Sequence, residues 1–218
     1  MEYENERKEI ICICRKLSSR GLILGTWGNV SMRVEKGILM TPSRISYDMM
    51  MPEDMVLMAL DGEILQGNRI PTSEREVHRR IYLKRPDIGA IIHYHAANSM
   101  AVSVLEMEEI PCLTEEMSQL LGGAIPITSQ YIPAQRHEAL GKAAADGIGR
   151  ANAVLLRNHG GVACGKDLRE AFLSAEVVEK SCGIFEKASA MPYRYEPIPE
   201  EYVESEHYRY KYTYGKER

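Results

Sequence analysis

The feature that most restricts the fold is the short apolar run Gly89 to His95, which ends in two histidines two residues apart. A strand has a side-chain period of two, so His93 and His95 project to one face, where they can bind a single ion. Taken alone, such a pair is also what two polar residues at a strand end look like. A second apolar run, Ala153 to Arg157, leads to His159 and then Gly160-Gly161. Glycines there relieve crowding and let backbone turn beside a bound group, although a structural histidine before a turn reads the same way.

Around these runs the texture alternates. Residues 4–20, with Ile10, Cys14 and Leu17 on one stripe and Gly21 as a stop, predict an amphipathic helix. Val30 to Val34, Ile38 to Met40, and a hairpin of Val56–Leu60 with Glu63–Leu65 across Asp61-Gly62 predict strands. Pro71-Thr72-Ser73-Glu74 opens a helix to about Lys84, capped by Thr72 or Ser73. Further helices are expected over Asn98–Leu105 and Ala134–Gly149, with a strand near Ile125–Thr128. Asp167, with Glu170 three residues on, starts a long helix with Leu168, Ala171, Ala175, Val178 and Cys182 on one face. Helices flanking a mainly antiparallel sheet predict an α/β fold of three layers, α/β/α. One domain over 1–191 is expected, followed by a tyrosine-rich tail over 192–218.

Composition narrows the function classes. Hydrophobic residues are 44% and charged residues 27% of 218, enough for a real core. Lys+Arg 27 against Asp+Glu 31 leaves a net charge of −4, with no basic footprint for nucleic acid. No apolar run approaches the roughly 20 residues that a membrane span needs. The charged N-terminus does not read as a secretory signal. Five cysteines, at 12, 14, 112, 164 and 182, form no CxxC pair and read as reduced, mostly buried thiols. These features point to the cytoplasm, with neither nucleic acid nor membrane as a partner.

Glu74 follows Pro-Thr-Ser at a helix start, where a carboxylate also simply compensates the helix dipole. Joined to His93, His95 and His159, it completes a tetrahedral zinc set, which equally suits manganese or cobalt. His78, one helical turn on, either competes as a ligand or faces solvent; His137 and His207 sit in polar surroundings with no specific role expected. Gly25-Thr26-Trp27-Gly28-Asn29, Thr41-Pro42-Ser43-Arg44 and Thr72-Ser73 are three clusters that together can make an anion site, and singly are turns.

The ordered set Gly25-Thr26-Trp27-Gly28-Asn29-Val30-Ser31, Thr41-Pro42-Ser43, Pro71-Thr72-Ser73-Glu74, His93-Tyr94-His95 and Asn158-His159-Gly160 resembles the class II aldolase/adducin family, in particular its L-fuculose-phosphate aldolases. The resemblance implies a divalent metal on His93, His95 and His159. Glu74 would be a fourth ligand at rest that leaves to transfer a proton. Gly28, Asn29, Ser43, Arg44, Thr72 and Ser73 would hold the phosphate of a phosphorylated sugar. The implied reaction cleaves a ketose 1-phosphate, such as L-fuculose 1-phosphate or a 5-deoxy- or 5-methylthio-ribulose 1-phosphate. Its products are dihydroxyacetone phosphate and an aldehyde, formed through a metal-stabilised enediolate. A methylthioribulose-1-phosphate dehydratase and an L-ribulose-5-phosphate 4-epimerase are alternatives on the same scaffold. A non-enzymatic adducin-like module would be expected to have lost the ligands that this chain keeps.

Two departures from the family pattern stand out. Arg44 stands where glycine is usual, which adds charge beside the phosphate. No tyrosine follows Ile110-Pro111, where the family's aldolases place an acid that reaches a neighbouring subunit's site. Glu115 or Glu116 falls there instead, as the dehydratases would have it, or as an acidic first turn of the next helix. The resemblance further implies a fourfold homotetramer with shared sites. Tyr208, Tyr210, Tyr212 and Tyr214 would line one face if extended, forming either a flap over the bound sugar phosphate or a frayed end.

Overall fold

The computed structural model describes residues 1–215; positions 216–218 of the expected tail lie outside the described residues. In chain order the elements are α1 (Glu4–Ser19), β1 (Gly28–Val34), β2 (Gly37–Met40), β3 (Val56–Met58), β4 (Ile64–Gln66), α2 (Arg75–Lys84), β5 (Ala90–Tyr94) and α3 (Ala97–Ser103). There follow β6 (Glu109–Ile110), β7 (Ile125–Pro126), α4 (His137–Ile148), β8 (Ala153–Leu156), β9 (Gly160–Gly165), α5 (Leu168–Ser189) and α6 (Glu200–Tyr212). Seven strands form one sheet in the order β4-β3-β2-β1-β5-β9-β8, with every neighbouring pair antiparallel.

The sheet is covered on both faces, and the period-two alternation of its strands divides the core in two. Val30, Leu39, Leu57, Ile92, Leu155 and Ala163 pack with α1 and α5 residues such as Cys14, Leu17, Ala171 and Val178. Ile38, Met40, Met58, Ile91, Val154 and Val162 pack with Val77, Ile81, Leu140 and Ala144 of α2 and α4. This is the expected three-layer α/β/α arrangement with a mainly antiparallel sheet. The Asp167 side chain caps α5 by accepting the Glu170 N–H at 2.8 Å, as its position predicts. Among the described residues no helix is long and apolar enough to cross a membrane, and all five cysteines are free, with only Cys12 exposed.

Local differences from the sequence reading have physical causes. The stretch Gly160–Gly165 is a full strand, inserted between β5 and β8, although its glycines argue against one. Tyr94 supplies the reason: a Cβ at Gly161 would lie 2.5 Å from its ring, and one at Gly160 would lie 2.5 Å from its carbonyl oxygen. Helix α2 has Glu74 at its N-cap position, one residue after Ser73 and two after Thr72, the caps its sequence predicts. Thr72 Oγ1 accepts only the Glu74 N–H, at 3.3 Å, and no side chain caps the helix.

Tyr208, Tyr210, Tyr212 and Tyr214 do not form an extended face. They lie on and just past the helix α6, where Tyr208 packs on Tyr212 and Tyr210 on Tyr214 at i, i+4 spacing. This helix rests on the π-helical segment Met117–Leu121: Val203 is buried, and His207 Nδ1–H donates to the Gln119 carbonyl at 2.9 Å.

Candidate active site

The register of the sheet assembles the site. Asn29 of β1 stands opposite His93 of β5, and His93 stands opposite Val162 of β9. His95 lies just past the end of β5. His159 lies in the tight β8–β9 connection, where its N–H donates to Leu156 O at 3.0 Å and Asn158 takes a left-handed φ of 54°. The three rings form a triangle with centroids 4.9–5.0 Å apart, and a ring nitrogen of each lies within 4.8 Å of the others.

Several features fit this cluster to a divalent ion. The Gly161 carbonyl, which only accepts, sits 3.0 Å from His93 Nδ1, so that nitrogen carries the proton and Nε2 is bare. His93 Nε2 and His95 Nε2 face each other at 3.0 Å. Glu74 closes the remaining side, with Oε2 at 3.2 Å from His93 Nε2 and Oε1 at 3.1 Å from His159 Nε2. Among the described residues buried Oε1 has no hydrogen-bond partner, an orphaned acceptor of the kind a cation satisfies. Three imidazoles and a carboxylate are the donor set of zinc-like ions.

Electrostatics support the same protonation states. Burial pushes His95 down to about 3, reinforced by His93 and His159, and burial also lowers His93. Neutral imidazoles are the form that ligates. For Glu74, burial opposes ionisation, but His93, His159 and the Asn29 amide outweigh it and hold the carboxyl well below its ordinary range.

The three anion clusters also converge. Val30 N–H donates to Thr41 Oγ1, Thr72 N–H to Thr41 O, and Ser43 N–H to Ile70 O, which ties the three loops together. Ser43, Arg44 and Ser73 line one open cleft with Arg69, Arg75 and His137. Arg44 has a left-handed φ of 63°, a conformation in which glycine costs nothing. Gly28 has φ 145°, and a Cβ there would meet the His93 carbonyl oxygen at 2.8 Å. Thr72 is buried beside Glu74. The Asn29 side chain is turned to Glu74, donating to Oε2 at 2.9 Å, rather than to the cleft.

Glu115 and Glu116 lie apart from the histidines in the chain. Both are exposed; Glu116 pairs with Lys180 at 2.5 Å, and Glu115 accepts from Gln119 at 2.9 Å. His78 is neither a ligand nor solvent-facing. It is fully buried, between Ser31 Oγ at 2.7 Å and Asn29 Oδ1 at 2.5 Å. Its burial has a sequence signal, because it lies on α2 within the apolar stripe Val77, Ile81 and Tyr82.

An antiparallel α/β/α sandwich with a three-histidine, one-carboxylate cluster at the strand ends has the build of a divalent-metal protein. Residues 8–185 match the family model described as the Class II Aldolase and Adducin N-terminal domain, and the chain belongs to that class II aldolase and adducin family. A 5-deoxy-D-ribulose 1-phosphate aldolase from Bacillus thuringiensis serovar kurstaki is 34% identical over 211 residues, covering 94% of this chain and 95% of that protein. An L-fuculose phosphate aldolase from Methanocaldococcus jannaschii is 36% identical over 175 residues, covering 80% and 92%. Among solved structures, an L-fuculose 1-phosphate aldolase superposes with a TM-score of 0.91 at 29% identity, covering 97% of this chain and 99% of that one.

Proposed function

We propose that this chain is a metal-dependent aldehyde-lyase, cleaving a ketose 1-phosphate to dihydroxyacetone phosphate and an aldehyde. The observation that carries the reading is the orphaned Glu74 Oε1 set against the ring nitrogens of the histidine cluster. His93, His95 and His159 hold the ion, with Glu74 as fourth ligand at rest, and their nitrogen and oxygen donors favour zinc. When bound, the ion supplies Lewis-acid stabilisation of negative charge developing on the sugar oxygens, worth several kcal/mol.

The chain's own residues do the rest. Gly28, Ser43, Arg44, Thr72 and Ser73 anchor the phosphate, with Asn29 contributing its backbone because its side chain is held by Glu74 and His78. Loss of the C4 hydroxyl proton lets the C3–C4 bond break, and its electron pair passes to C3 and the adjoining carbonyl. Glu74 returns a proton to C3. Away from the ligand cluster the carboxylate stays buried, and burial opposes its charge, so its basicity would rise as the task requires. Incubation with a panel of ketose 1-phosphates, coupled to a dihydroxyacetone-phosphate reductase, tests the reaction. Release of that triose is expected; a dehydratase or an epimerase would yield none.

Arg44 gives a separate handle on the phosphate site. Arg44→Gly removes a left-handed non-glycine residue and should leave stability unchanged or raise it by up to about 1 kcal/mol, read by urea denaturation. The same variant should raise KM for the sugar phosphate with little change in kcat, because the lost charge acts on binding. An unchanged KM would remove Arg44 from the phosphate site.

We also propose a homotetramer in which Glu115 or Glu116 of one copy serves the C4 oxygen at a neighbouring copy's site. Their exposure supports this, as do the exposed Tyr202, Tyr208 and Tyr212 on the adjoining α6. The tail, described over residues 192–215, then acts as a flap over the bound sugar phosphate. Mixing inactive His93→Ala protein with an inactive Glu115→Gln/Glu116→Gln variant should recover activity on subunit exchange. No recovery despite demonstrated exchange would rule out the shared acid. The free, mostly buried thiols support a reducing compartment, and we place the protein in the cytoplasm.

A further inference from the structure

Behind Glu74 runs a buried file of polar side chains whose bonds to one another the metal-ligand and phosphate roles do not account for. Asn29 Nδ2 is 2.9 Å from Glu74 Oε2, and Asn29 Oδ1 is 2.5 Å from His78 Nε2. His78 Nδ1 is 2.7 Å from Ser31 Oγ, which lies 2.9 Å from the Tyr82 hydroxyl. None of the five residues is more than 7% exposed.

The direction of every bond follows from donor arithmetic. A carboxylate only accepts, so the Asn29 NH2 must face Glu74, which leaves its carbonyl oxygen toward His78. That oxygen also only accepts, so His78 Nε2 carries the proton. Burial, the largest influence, keeps the ring neutral by pushing it down to about 3, so Nδ1 is bare and Ser31 donates to it. Tyr82 then donates to Ser31. All donors point one way, from Tyr82 through Ser31, His78 and Asn29 to Glu74. Flipping the Asn29 amide would set its oxygen against the carboxylate and its NH2 against the Nε2–H. Buried polar groups left unsatisfied in that way cost about 1–3 kcal/mol each.

We propose that His78 is a positioning residue: as the Nε2–H tautomer it fixes the Asn29 amide, which holds one Glu74 oxygen and leaves the other free. This rests on the reading of Glu74 as the proton-transfer group. The carboxylate can then turn about an anchored oxygen, exchanging its place against the histidines for one beside substrate without losing its aim.

The wiring is tested on the wild-type chain by nitrogen-15 NMR with labelled histidine, the His78 signals being assigned by their loss in His78→Gln. The expected spectrum has a protonated Nε2 and a bare Nδ1; an Nδ1–H tautomer or an imidazolium at neutral pH would overturn the proposal. His78→Leu should lower kcat about 10–100-fold with bound metal and KM nearly unchanged. His78→Gln, whose amide N–H can replace the Nε2 donor, should recover most of that loss. Should the leucine variant not fold, Ser31→Ala, which removes the donor to Nδ1, carries the kinetic comparison. Leucine at normal kcat, or glutamine no better than leucine, would refute the positioning role. Glu74→Gln is the control that separates the two readings: if it keeps turnover, the proton-transfer role falls, while the tautomer still decides the wiring.

Discussion

Replacing His93 with alanine should give a folded protein that no longer retains its divalent ion. His93 is fully buried, and its ring touches both other histidines and Glu74. Its Nδ1–H is tied to Gly161 O at 3.0 Å, so Nε2 is aimed before any ion arrives. Wild type purified without chelator should carry about one equivalent of zinc-like metal per chain by elemental analysis. Partners outside the ligand shell are typically worth about 10–100-fold in affinity, so loss of a pre-aimed ligand should cost more than about 10²-fold. Turnover should vanish with the metal, and circular dichroism should stay near wild type because the sheet's backbone ladder survives. A metal-free wild type at full activity would remove the basis for the proposed chemistry.

What the sequence made legible, and what it did not, follows from the range of each signal. The shared face of His93 and His95 is a consequence of period two along one strand and needs no partner. Asp167 announces α5 because capping is local. The strand Gly160–Gly165 was hidden, since its glycines weaken local strand propensity and serve a distant need, room for Tyr94. The tail's alternating tyrosines invited an extended reading. Spacing of two is also spacing of four, however, and the packing of α6 on Met117–Leu121 decided for helix. The stripe of α2 signals that His78 is buried, but its partners Asn29 and Ser31 are set by the packing of β1 against α2. The family motifs drew attention to Asn29 as a phosphate-binding residue, and its bond to Glu74 spans a separation of 45 residues.

Glu74→Gln should separate chemistry from architecture. Glutamine keeps the length and volume of Glu74, and its two ends match the environment on each side. Its carbonyl oxygen can accept from Asn29 Nδ2 as Oε2 does now, at 2.9 Å. Its NH2 can donate toward His159 Nε2, which lies 3.1 Å from the present Oε1. Folding stability should therefore change by no more than about 1 kcal/mol, and the three histidines remain to hold metal. The amide has no proton to exchange at neutral pH, so the step that delivers a proton to C3 loses its agent. Removal of a general acid–base group typically costs about 10²–10⁴-fold in rate, and that range is expected in kcat with KM little changed. Because aldol cleavage is reversible, the exchange of a C3 proton of dihydroxyacetone phosphate with deuterated solvent should slow by a similar factor, with no aldehyde present. That second measurement isolates proton transfer from bond cleavage. If exchange and turnover both persisted with metal bound, Glu74 would serve only as a ligand, and the proton would have to come from another group.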